Sequence, residues 1–275
     1  MTSIKPGLRG RLLLLMLPAV NVAFVGIWLL ATRTAREGLV ELSDVNLDTG
    51  ASGLADALAG ATKDAYADAV TAARLDITAQ AIDSQDPKNL SWFADEIVRS
   101  KGRYAAVVVT DAKGGIVASN TIARDGKKIP KLIGRSVAEE AWAKQILAAK
   151  GGEAVRIPLH RPAFLDGVLS PGEQVMGFAL PVSDVMGDRI GTLEVLVSSA
   201  YLGKILARFS TGQPGALDSL AVLTDDAGHP AILPEGVTWN GDLTIAGKQW
   251  QGPDGAHFLV SQAAVAATSA GRWRR

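Results

Sequence analysis

Hydrophobic positions change their rhythm three times along the chain. Residues 12–31, LLLLMLPAVNVAFVGIWLLA, carry no charge. A run of about 20 apolar residues is what an α-helix needs to cross the hydrocarbon core of a bilayer. Residues 34–83 are polar, Ala-rich and free of Pro, and Leu39, Leu42, Leu47, Leu54, Leu58, Ala61, Ala65, Ala69, Ala72 and Ala79 recur mostly three, four or seven apart. That spacing predicts one long helix with a single apolar stripe. Gly38, Gly50, Gly53 and Gly60 each weaken it by about 1 kcal/mol relative to Ala, so a neighbour must support it. The stripe packs either on the rest of its own domain or on a helix of a second subunit. Beyond Asp86-Pro87, where the helix ends, short apolar runs bounded by turn residues take over. They predict a helix over 90–98, strands over 105–109 and 116–119, a loop over 121–136 and a helix over 138–149. Strands at 153–158, 174–181 and 191–198, a helix at 201–209 and strands at 243–245 and 257–262 complete the pattern.

One motif occurs twice. Residues 107–117 read VVVTDAKGGIV and residues 221–231 read AVLTDDAGHPA, so Thr110, Asp111 and Gly114 correspond to Thr224, Asp225 and Gly228. Asp first and Gly fourth are the preferences of a type I turn, which explains Asp111 and Asp225 as turn residues. Either two sheet modules share one plan, or two ordinary hairpins share turn chemistry. With the duplicated plan, the fold is α+β: an N-terminal transmembrane helix, a long helix, then two sheet modules in series.

Charge and composition narrow the function. The chain has 275 residues, 28 basic and 28 acidic side chains, no Cys and three His. A balanced charge gives no reason to expect nucleic acid as a partner. Without Cys, and with no HExxH spacing, neither a metal nor another cofactor is expected. No GxSxG or phosphate-cradling GxxxxGK[ST] motif is present, so an enzyme is not expected. Lys5, Arg9 and Arg11 precede the apolar run and Trp28 lies near its far end. These features place residues 1–11 in the cytoplasm and the bulk of the chain periplasmic or extracellular, tethered to the lipid bilayer of the inner membrane through residues 12–31. Arg33 and Arg36 oppose that orientation, and a cleaved signal peptide is the competing reading, although LLATRTA is a poor cleavage site.

In order and spacing, these elements resemble the double Cache (PAS-like) sensor region of bacterial methyl-accepting chemotaxis receptors and related sensor kinases. AVVVTDAKGGIVASN (106–120) resembles the family's first hairpin, IGRS (133–136) with Trp142 its pocket loop and helix, and FALPV (178–182) with GDRIGTL (187–193) its closing strands. Residues 201–209 resemble the helix that joins the two modules. The resemblance implies tandem antiparallel PAS-like modules over 84–209 (membrane-distal) and 210–275 (membrane-proximal), after a stalk helix over 34–83. It implies a small-molecule sensing function in a chemotaxis receptor. The alternatives are the sensor portion of a histidine kinase or diguanylate cyclase, or a stand-alone membrane-anchored ligand-binding protein. A homodimer through the stalk helix is expected.

The same resemblance nominates ligand-binding residues. Members that read amino acids carry an Arg two residues before the Trp and an aromatic directly after it, where this chain has Glu140 and Ala143. The fork that would grip a ligand carboxylate is therefore missing, and a cationic or neutral ligand is as well suited, with Glu140 as acceptor. Trp142 would line the site or simply anchor its helix in the core. Asp184 would face the pocket mouth or start a turn, and Tyr104 would offer its hydroxyl to a ligand or cap the sheet edge. Arg135 belongs to the pocket loop. Arg156 and Arg161 flank His160 in what reads as a solvated basic loop. The ending SAGRWRR places Arg-Arg where the family's last apolar strand would continue. The expectation is a second module left incomplete, its chain the N-terminal part of a longer receptor.

Overall fold

The computed structural model describes residues 8–84, 86–148, 153–213, 216–225, 229–234, 237, 249–251 and 257–259, without the side chains of 8–23, 211–218, 249–251 and 257–259. The chain divides into two compact units, residues 1–50 with 246–262 and residues 51–245 with 263–275.

A single helix, α1 (Leu8–Ala73), runs through the first apolar run and most of the Ala-rich segment. Its residues up to Gly50 make up most of the first unit, which also holds the hairpin β10 (Gln249–Gln251) and β11 (His257–Leu259). Phe24, Ile27, Trp28, Leu29 and Leu30 are exposed on α1, as are Leu39, Leu42 and Val45. Among the described residues no helix is long and apolar enough to cross a membrane; part of the run 12–31 lies outside the described side chains.

In the second unit the Ala-rich stripe finds its partner within its own domain. Ala61, Ala65, Ala69 and Ala72 are buried in one cluster with Phe178, Leu193 and Val195 of the central sheet. Small side chains let a helix approach closely, which is why the stripe is Ala rather than Leu. The predicted helix over 34–83 is interrupted, because Leu75 takes an extended conformation and caps the separate helix α2 (Asp76–Asp83). The Thr78 hydroxyl donates to the Ala72 carbonyl at 2.7 Å and secures the break. Next comes α3 (Lys88–Lys101), closed by Gly102, whose left-handed φ of 64° lets its N–H reach the Val98 carbonyl.

The centre of this unit is an antiparallel five-stranded sheet in the order β2-β1-β5-β4-β3. Its strands are β1 (Tyr104–Asp111), β2 (Ile116–Ser119), β3 (Val155–His160), β4 (Val175–Ser183) and β5 (Arg189–Ser198). β1, β5 and β4 are near-continuous apolar runs because both faces are covered. One face packs on α1, α2, α3 and α5 (Ser199–Phe209). The other lies under the segment between β2 and β4, which includes α4 (Ala141–Ala148). At the edges, residues 134–136 bond Gly115 and Ile116 at the start of β2, and the register of β3 with β4 breaks between Ile157 and His160, around Pro158.

Each Asp-x-x-Gly turn folds as expected. Asp111 Oδ1 accepts from Gly115 N–H at 2.8 Å, Asp184 Oδ1 from Asp188 N–H at 2.9 Å and Asp225 Oδ1 from His229 N–H at 2.8 Å. The same Asp-to-backbone bond thus occurs three times, twice inside the first sheet and once beyond it. Beyond α5 the described residues of this unit form two short hairpins, β6 (Thr211–Gln213) with β7 (Ala216–Ser219) and β8 (Leu223–Thr224) with β9 (Pro230–Ile232). The predicted strand over 243–245, residues 260–262 of the last predicted strand, and the terminal SAGRWRR lie outside the described residues.

Candidate functional site

On the sheet face turned away from the long helix, alternation along β5 sets Thr192, Glu194 and Leu196 side by side. Glu194 stands on the middle strand, opposite Val108 of β1 and Ala179 of β4. Its side chain is fully buried. Oε1 accepts from the Thr192 hydroxyl and from Thr110 Oγ1 at 3.4 Å, and the two hydroxyls lie 2.6 Å apart. Oε2 has no partner. Burial pushes the Glu194 carboxyl up to about 8, the two hydroxyls pulling back only part of the way.

Over this face lies an apolar cover built from Trp142, Ala143 and Ile146 of α4 together with Leu132, Val137, Phe164 and Leu165. Arginines fix it by donating to backbone carbonyls that irregular chain leaves open. Arg135 donates to Phe164 and Asp166 at 2.7 and 3.0 Å, Arg161 to Ser170 and Glu173 at 2.8 and 3.0 Å, and Arg189 to Ile146 and Leu147 at 2.7 Å each. Arg124 joins Glu173 at 3.0 Å and also the Ser198 hydroxyl. Burial raises the Glu173 carboxyl, but Ser198, the Ser170 N–H and Arg124 outweigh it and hold it below the usual range.

The structure scatters most of the residues nominated from sequence. Trp142 does enter this face, 3 % exposed, with its Nε1 buried and unpartnered. Glu140 turns instead toward His160, 3.3 Å from Nε2, while His160 Nδ1 lies 2.8 Å from the Pro158 carbonyl. Asp184 belongs to its turn, accepting from Met186 and Asp188 N–H. Tyr104 lies on the opposite face and donates to Asp68 of α1, so its hydroxyl ties the sheet to a helix. Arg103 completes that tie, to Asp64 at 3.1 Å and Asp68 at 2.7 Å. Arg135 anchors the cover, and Arg156 is exposed on β3. Sequence reasoning passed over Thr110, Thr192 and Glu194. The signal was legible: a lone carboxylate inside the apolar run TLEVLV of a strand covered on both faces has to be buried.

No protein-family profile and no curated protein matches the chain. Solved structures do. The extracellular domain of the histidine-kinase candidate vpHK1S-Z8 is similar at a TM-score of 0.58 and 15% identity, over 71% of this chain and 70% of that one. Looser likeness joins the ligand-binding domain of the Pseudomonas fluorescens chemoreceptor CtaA in complex with L-serine, at 0.45 and 14% identity over 71% and 74% of the two chains. It also joins that of the Pseudomonas aeruginosa PAO1 amino acid chemoreceptor PctC in complex with GABA, at 0.45 and 23% identity over 71% and 76%. The fold of the chain is the PAS-like, Cache-type fold of extracellular sensor domains.

Proposed function

We propose that the chain is the extracytoplasmic small-molecule sensing region of a membrane signal-transduction receptor, in the first place a methyl-accepting chemotaxis receptor, with a binding rather than a catalytic role. The observation that carries this reading is the covered face of the PAS-like sheet, where the sheet buries the Glu194 carboxyl with one unpartnered oxygen and the cover buries the Trp142 indole with its N–H unpartnered. Exposed Phe24, Ile27, Trp28, Leu29 and Leu30 support a lipid-embedded anchor over residues 12–31, with the sensor on the far side of an inner membrane. Leu39, Leu42 and Val45, three apart and exposed on α1, suit a second copy of that helix alongside in a homodimer. A histidine kinase or diguanylate cyclase output would use the same sensor.

Thermal unfolding of the full chain in detergent, against a panel of amines, carboxylates, amino acids and purines, tests the reading. At least one class should raise Tm by mass action. A panel without any shift would count against small-molecule sensing.

A further inference from the structure

A proton is a ligand that needs no cavity. Glu194 stands on the middle strand of the sheet, fully buried, in the layer between sheet and cover. Across the strands it faces Val108 and Ala179, which belong to the apolar cluster that the cover closes. The carboxyl receives only hydroxyls, from Thr192 and from Thr110 at 3.4 Å, both on Oε1. Oε2 receives nothing.

The charges on the surrounding elements are engaged elsewhere. Among the described residues, Asp111 of β1 and Asp184 of β4 accept from their own turns, and Arg189 of β5 donates to α4 carbonyls. On the β3 side Glu153 and Arg156 are exposed, and His160 stands beside Glu140. In the cover Lys144 pairs with Glu139 and Arg124 with Glu173, while Arg135 and Arg161 donate to carbonyls, Asp166 lying 3.9 Å from Arg161. Asp125 and Lys127 pair with each other, and Lys128 and Lys131 are exposed. No charged group among them acts on Glu194. Ionised here, the carboxylate would be a buried charge without a partner, which costs far more than burying the neutral acid. The closed face therefore fits the protonated form.

We propose that Glu194 makes the cover a pH-sensitive lid, which lies closed on the sheet while the carboxyl is protonated and opens when the proton leaves. This goes beyond small-molecule sensing, since the stimulus is alkaline pH itself. Burial pushes the carboxyl up to about 8 in the closed state, whereas an open cover returns it to the ordinary range near about 4. Between those values the closed state holds the extra proton, so its advantage is complete in acid and is lost as pH rises to about 8. The arginines that hold the cover on backbone carbonyls keep their charge throughout that window. Arg124 and Glu173 of the cover both bond the Ser198 hydroxyl, which caps α5, so opening also frees the head of that helix.

The test uses single thiols, since the chain has no Cys. Val137→Cys places one in the cover and Val98→Cys one on α3, on the helix face; the two valines are 2 % and 0 % exposed. The labelling rate with dithiodipyridine, for the full chain in detergent, is divided by that of the same variant unfolded in urea at the same pH. At Val137→Cys the ratio should rise about tenfold per pH unit between about 5 and 8 and then level, and at Val98→Cys it should stay at least about tenfold lower. Adding Glu194→Gln, the isostere of the neutral acid, should flatten the rise. Adding Thr192→Val removes a hydroxyl that favours the charged form and should carry the levelling to higher pH, which a merely structural role would not do. A flat ratio at Val137→Cys would overturn the inference, as would a rise that survives Glu194→Gln and so belongs to His160 or Glu140. Equal ratios on the two faces would also overturn it, because Glu194 would then destabilise the whole unit. If either cysteine variant fails to fold, amide exchange of α4 against α3, in the parent and in Glu194→Gln, reads the same contrast. A silent small-molecule panel leaves every one of these outcomes readable, so the two proposals fail separately.

Discussion

The two faces of the central sheet follow different rules. On the helix side Val107, Val109, Phe178, Leu180, Leu193 and Val195 pack against α1, α2, α3 and α5. The polar groups that tie the sheet to α1 there, Tyr104 and Arg103, are bonded to Asp68 and Asp64. On the cover side the sheet offers Ala106, Ala179, Thr110, Thr192 and Glu194; Glu194 Oε2 and Trp142 Nε1 stay unpaired there, as Ser91 Oγ and Arg103 Nε do on the helix side. Side-chain ion pairs thus tie the sheet to α1 on one face, whereas on the other the cover is held by arginines that donate to backbone carbonyls.

Phe178→Ala should show the largest effect. The ring is 1 % exposed and packs edge-on to Tyr66, centroids 5.2 Å apart, so its loss should cost about 3–5 kcal/mol in denaturant unfolding. A cost below about 1 kcal/mol would erase the distinction between the faces. Ala179→Leu, on the cover side, should cost about 1–3 kcal/mol by overpacking, and a neutral result would mean that the cover stands away from the sheet.

Glu194→Gln sharpens the contrast through pH. The folded carboxyl is held near 8, above its unfolded value, so the folded state binds the extra proton between about 5 and 8 and loses stability as pH rises through that window. The Gln variant lacks this loss. Its Tm should exceed that of the parent by a few degrees near pH 9 and match it near pH 5; parallel curves would contradict the buried acid. Tyr104→Phe removes one bond to a carboxylate on the opposite face and should cost about 1–2 kcal/mol. Met186→Ser, at a fully exposed turn tip, should change unfolding by no more than about 0.5 kcal/mol.

Much of the first sheet was legible because its strands are short apolar runs closed by Asp-x-x-Gly turns, and such local chemistry survives in any tertiary context. The break in the long helix was not legible. Neither Gly nor Pro marks Leu75, and the chain turns there with Thr78 bonded back to Ala72, an arrangement no local pattern encodes. The site was half legible for a similar reason. Trp142 announced itself as a large ring on a short helix, but whether Glu140, Asp184 and Tyr104 converge with it depends on which face each strand presents. One residue of register sends a side chain to the other side of a sheet, and Tyr104 went to the helix side. Glu194 could have been flagged from the apolar run around it, whereas its bonds to Thr110 required the pairing of β1 with β5.

The sheet's borders have a consequence for how copies of this protein coexist. An open border strand is a template on which further chains can polymerise. Here Ile116, at the start of β2, is already bonded on its outer side by Gly134 and Arg135, and Pro158, with no N–H to give, interrupts β3. Both borders of this sheet are thus blunted against strand-by-strand growth onto further copies.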